Sequence, residues 1–168
     1  LQLSKLYSQV GLFEQATKSS LFENQINSRV LQLKDSLQSL LTQVKYINEL
    51  DPDVAQIKLN VIDSILNKAT FSAIDKDYIK AQWYLYKAKN LALKKNINSA
   101  LKMTDSGLSI IESYKSTEPS KIFNQLLLFK AKLLFEIGEN KELAAIIEQK
   151  KEDYSLSEEN QLKWLILG

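Results

Sequence analysis

The sequence contains no histidine and no cysteine. Without imidazole or thiol, the commonest general base, the usual nucleophile pairs and most transition-metal ligand sets are missing. Disulfides are excluded as well, although a cysteine-free chain suits an oxidising or a reducing compartment equally. The four glycines are scattered, which leaves no Gly-rich phosphate loop, and with only two prolines the chain has too few turn formers for a β-rich fold. Of 22 basic residues only Arg29 is arginine, and the formal net charge is +2. That balance gives no nucleic-acid footprint, since base and phosphate forks favour arginine. The longest apolar runs, such as Leu143–Ile147, fall far short of a bilayer, so no membrane insertion is expected of this segment. No cofactor is expected either.

What is present points to helices. Charged residues make up 25% and hydrophobic residues 45% of 168, values that predict one globular domain over 1–168 with a substantial core. The long segments are built from Leu, Lys, Gln, Glu and Ala, which are good helix formers, and an all-α fold follows. The chain starts at Leu1 without a signal-peptide pattern and already inside the periodicity described next. It is therefore read as a segment or processed form of a longer protein, in a compartment that its residues leave open.

The periodicity centres on Ala81–Ile111, which reads as two antiparallel helices joined at Lys95–Asn98. Gln82, Leu85, Lys87, Ala88, Lys89 and Leu91 recur 43 residues later as Gln125, Leu128, Lys130, Ala131, Lys132 and Leu134. A fragment recurs upstream, where Leu1, Ser4, Lys5 and Tyr7 fall opposite Leu85, Ala88, Lys89 and Leu91. Self-similarity of this period is the mark of stacked helical hairpins. Turns are expected at Gly11, at Asp51–Asp53, at Lys95 and at Gly138, giving four hairpins and about eight to nine helices. Asp51, Pro52 and Asp53 suit the N-cap, first position and positive end of a helix. Asp75 or Asp77 is expected to cap the next one, Lys115–Pro119 to form a loop, and Ser155–Glu159 to open a short last helix. Ser20 and Glu23 form a capping-box pattern that either opens a new helix or lies within a longer one. From Ile26 through Val30, Leu33, Leu37, Leu40 and Val44 to Ile47 the spacing alternates four and three, a heptad seam. It admits a coiled-coil homodimer or, with Leu31 and Leu41 widening the stripe, one long helix of a bundle; the second is favoured.

These residues resemble the tetratricopeptide-repeat superfamily. Trp83 or Tyr84 stands where that motif has its early aromatic, and Ala88, Ala100 and Gly107 where it has small residues at the helix crossing. Ser4, Tyr7, Gly11, Phe13 and Ala16 match its middle. The spacing of about 42 exceeds the usual 34 residues, and Lys87, Lys130 and Leu143 depart from the pattern. The resemblance implies a right-handed α-superhelix that acts as a non-enzymatic protein-interaction scaffold. It also admits a sensory or regulatory input domain of a larger, membrane-bound signalling protein.

Candidate sites are few. Asp51 with Asp53, and Asp75 with Asp77, have the spacing of hard-cation ligands but lack the rest of a calcium loop, and helix capping is the better account. The resemblance places Lys5, Lys89 and Lys132 in one slot along a concave groove, with Leu85 and Leu128 one turn earlier and Gln82 and Gln125 two turns earlier. Such a ladder suits an acidic partner segment or a C-terminal carboxylate, with the amides free to bond an extended backbone. Trp83, Tyr84 and Tyr86 are expected to serve mostly as packing.

Overall fold

The computed structural model describes residues 5, 9, 13–114 and 120–151. Among them six α-helices follow one another: α1 (Phe13–Leu50), α2 (Pro52–Lys68), α3 (Ala73–Leu93), α4 (Ile97–Ile111), α5 (Ser120–Ile137) and α6 (Asn140–Lys151). A 3-10 turn at Glu112–Tyr114 extends α4, and no strand occurs among the described residues. Lys5 and Gln9 are also helical. The expected turn at Gly11, the loop at Lys115–Pro119 and the closing helix at Ser155–Glu159 lie outside the described residues. Contacts divide the chain into two compact units, Leu1–Ser39 and Leu40–Gly168. No helix among the described residues is long and apolar enough to cross a membrane.

Each helix boundary has a local cause. Ser20 and Glu23 do not open a helix, because α1 runs unbroken through them. Asp51 caps α2, its Oδ1 accepting from the backbone N–H of Asp53 and Val54 at 3.0 and 3.1 Å, with Pro52 at the first position. The cap of α3 is Ser72 and not Asp75 or Asp77. Its Oγ accepts from the Asp75 N–H at 3.1 Å and donates to the Asp75 carboxylate at 2.7 Å, a capping box with aspartate in the third position. The hairpin turns after α3 and α5 are the same Schellman motif, 43 residues apart. Asn96 N–H bonds Leu91 O and Lys95 N–H bonds Ala92 O, just as Glu139 N–H bonds Leu134 O and Gly138 N–H bonds Phe135 O. Both need a left-handed residue, Lys95 at φ 61° and Gly138 at φ 77°.

Within Leu40–Gly168, α3 contacts α2, α4 and α5, while α4 also contacts α5, and α5 contacts α6. The buried stripe of α4 is Ala100, Thr104, Gly107 and Ile111, a four-three-four spacing whose first three members are small or short. Ala100 meets Ala88 of α3 and Leu133 of α5 in one cluster. At Gly107 the approach is closest: a Cβ there would stand 3.0 Å from a Leu126 methyl of α5 and 3.1 Å from Tyr84 Cβ of α3. The helix of glycine-sized clearance thus sits between α3 and α5 and sets their separation. Leu85 and Ala81 join Ile111, Ile122 and Leu126 in a second cluster, and Leu127, Ala131, Leu134, Leu143, Ile146 and Ile147 form a third toward α6.

Polar groups tie the helices where apolar ones do not. Asn90, fully buried, donates through Nδ2 to Asn48 Oδ1 of α1 at 2.8 Å and to Pro52 O at 2.6 Å. Trp83 Nε1 donates to Leu59 O of α2 at 2.8 Å while its ring meets Tyr84 edge-on at 5.0 Å. Lys130 bridges Asp105 of α4 and Glu142 of α6 at 2.8 and 2.7 Å. Burial opposes its charge, but those two carboxylates more than offset that and hold its pKa above the ordinary lysine value. The heptad seam does not stay on one surface: Leu37 and Val44 are fully buried in the single chain, Leu33, Leu40 and Ile47 are half-buried, and Ile26 is exposed. A two-stranded coiled coil along the whole of Ile26–Ile47 would need side chains that the monomer already covers.

Gly107→Ala adds a methyl group where neither Tyr84 Cβ nor the Leu126 methyls have room. We expect it to lower unfolding free energy by about 1–2 kcal/mol in urea titration, despite the better helix propensity of alanine.

Candidate functional site

A cleft of about 440 Å³ is lined by α1, α3 and α5 within Leu40–Gly168. α1 contributes Lys45, Asn48 and Glu49; α3 and its turn contribute Tyr86, Lys89, Ala92, Leu93 and Lys95; α5 contributes Phe129, Lys132 and Glu136. Six of these fall in three pairs spaced 43 residues apart: Tyr86 with Phe129, Lys89 with Lys132, and Leu93 with Glu136. The cleft is thus the same face of successive first helices, brought side by side by the close seating of α4.

Its charge is unusual. Four lysines and two glutamates line it, yet none of Lys45, Lys89, Lys95 or Lys132 lies within 4.0 Å of a carboxylate among the described residues. Lysines elsewhere do find partners: Lys94 pairs with Asp53 at 2.6 Å, and Lys87 donates to Gln56 Oε1 at 2.6 Å. Lys89 is the most enclosed of the four. Its Nζ lies 5.8 Å from the centroid of the Tyr86 ring and 5.9 Å from that of Phe129, so two aromatic faces stand in for lost water. Burial pushes its pKa below the ordinary lysine value, Lys132 and Lys45 push the same way, and Glu49 only partly opposes them. Burial likewise raises the Tyr86 hydroxyl, with Tyr78 and Tyr46 adding to the shift.

The ladder read from the sequence is met in part. Lys89 and Lys132 come together in the cleft. Leu85 does not reach it: at 2% exposure it belongs to the core shared by α3, α4 and α5. Leu128 is half-buried against the cluster facing α6, Gln82 is half-buried, Gln125 is exposed, and none of the three lines the cleft. Lys5 is helical and exposed and belongs to the other compact unit. Tyr86 and Phe129, three residues before each lysine, are the true neighbours of the ladder. An aromatic followed three residues later by lysine, in both copies, was a signal available in the sequence. Of the two acidic pairs, Asp51 caps α2, Asp53 holds Lys94, Asp75 bonds Ser72, and Asp77 accepts from the Tyr114 hydroxyl at 3.2 Å. Compared with known proteins, the chain matches no family model, no curated protein and no solved structure.

Because the folded state disfavours the charged form of Lys89, its protonation opposes folding below its lowered pKa, and that penalty fades as pH rises toward 10.5. Lys89→Met is expected to raise Tm by about 1 °C or more at pH 7, with the advantage shrinking by pH 11. Paired calorimetric scans of the two proteins across that range check both the sign and the trend.

Proposed function

We propose that this chain is a non-enzymatic protein-interaction module of tetratricopeptide-like helical hairpins, whose α1–α3–α5 cleft takes an acidic segment of a partner protein. The supporting observation is the set of four cleft lysines without a carboxylate within ion-pairing distance among the described residues. Lys89 is half-buried, and a cation that has already lost part of its hydration gains more from an incoming anion than a fully solvated one does. The exposed Lys45, Lys95 and Lys132 add to the positive charge of the same cleft. Tyr86, Phe129, Ala92 and Leu93 add apolar wall for the aliphatic parts of such a segment, and a carboxylate at its C-terminus would serve as well as one on a side chain. Single ammonium groups without arginine forks fit a carboxylate-rich strand of loose geometry better than one bidentate anchor. The repeat relation of Tyr86, Lys89 and Leu93 to Phe129, Lys132 and Glu136 lets one strand meet similar surroundings at successive positions.

Fluorescence anisotropy with a labelled peptide of Glu and Asp tests this. Wild type should bind it, with affinity falling as salt rises, and should ignore the Gln and Asn counterpart. Lys89→Glu with Lys132→Glu should weaken binding by about tenfold or more while circular dichroism is unchanged. Equal affinity in that variant would refute the assignment.

A further inference from the structure

The two Schellman turns that close α3 and α5 are superposable in their hydrogen bonding, and each forces its central residue to a positive φ. After α5 that residue is Gly138, which has no Cβ to clash; after α3 it is Lys95, whose Cβ crowds the preceding backbone at φ 61°. Lysine at such a place is uncommon, since glycine or asparagine fills it at lower cost. The Lys95 side chain does not repay the strain, because it is exposed and makes no hydrogen bond or ion pair among the described residues, and the backbone bond to Ala92 O would form equally with glycine. Its neighbour Lys94 turns away to pair with Asp53, while Lys95 lines the cleft beside Leu93 and Lys132.

We infer that Lys95 is a partner-contact residue, held in a left-handed turn at the expense of stability so that its ammonium group stands at the edge of the cleft. Strained residues that persist without an internal partner gather at binding sites, and the inference runs here from the observed dihedral angle to the role. The same turn geometry with glycine would end α3 equally well, as the α5 turn demonstrates, so the helix stop does not account for lysine. The inference rests on the acidic-segment reading and adds to it a contact that the repeat ladder of Lys89 and Lys132 does not contain. It also ties affinity to stability at a single residue: the change that relaxes the turn removes the charge.

Lys95→Gly separates the two effects. Tm should rise by about 2 °C or more as the turn relaxes, while affinity for the Glu and Asp peptide falls about threefold or more, most clearly at low salt. Lys95→Asn, which tolerates positive φ but carries no charge, should show the same loss of affinity, and Lys95→Arg should restore it. A Lys95→Gly protein that binds the peptide as wild type does, while Lys89→Glu with Lys132→Glu does not, would overturn the role of Lys95 and leave the cleft assignment standing. A Tm that falls in Lys95→Gly would overturn the strain. A wild-type protein that ignores the peptide would remove the acidic-segment reading itself.

Discussion

The rest of the Leu40–Gly168 unit depends on how closely α4 can approach the two helices beside it. Gly107 is seated so closely between Tyr84 of α3 and Leu126 of α5 that an added methyl group would force those side chains to shift, and about two turns earlier Ala100 packs with Ala88 and Leu133. A larger residue at any of these positions would push α3 and α5 apart. Their outward faces carry Tyr86 with Lys89 and Phe129 with Lys132, and the cation of Lys89 reaches both rings only while the helices stay close. The cleft is therefore a consequence of small residues on its far side, with Ala92 and Phe129 packing against that core while they line the cleft.

Electrostatics divides the lysines into two groups. Lys94 and Lys130 face carboxylates and act as clasps between helices, and Lys130 is stabilised enough by Asp105 and Glu142 to keep its proton above the ordinary range. Exposed pairs of this kind contribute little each, but Lys130 holds two helices at once from a largely covered position. Lys45, Lys89, Lys95 and Lys132 have no such partners among the described residues, and burial together with the neighbouring ammonium groups disfavours the charge of Lys89. A folded chain that holds the charge of Lys89 against burial, and a left-handed lysine in the lining of the same cleft, fits the anionic partner proposed for it.

Much of this was legible in the residues. Asp51 with Pro52 marks the start of α2, Gly138 marks the end of α5, and Ala88, Ala100 and Gly107 stand out as small residues suited to a helix crossing. Of the expected groove stripe, Lys89 and Lys132 line the cleft, while Leu85 lies in the core. Leu85 and Lys89 are four apart and so share a face, but the core claims Ala81, Leu85 and Ala88 while the cleft claims Tyr86, Lys89 and Leu93. A hydrophobic residue four before a lysine fits either stripe until the third helix is known. Ser72 as a cap was missed because its aspartate partner looked like the cap itself. The Asn48–Asn90 bond was invisible for a different reason: two amides 42 residues apart become a pair only after the hairpins stack.

The most direct test of the account is where an acidic segment lies when bound. Carbodiimide joins a carboxylate to an amine only in direct contact, so mapping by mass spectrometry the lysines that a Glu and Asp peptide couples to reads the occupied surface. The account predicts coupling at Lys45, Lys89, Lys95 and Lys132, with exposed lysines outside the cleft such as Lys68, Lys102 and Lys141 left largely unmodified. Coupling spread evenly over the surface lysines, or concentrated away from the cleft, would contradict it.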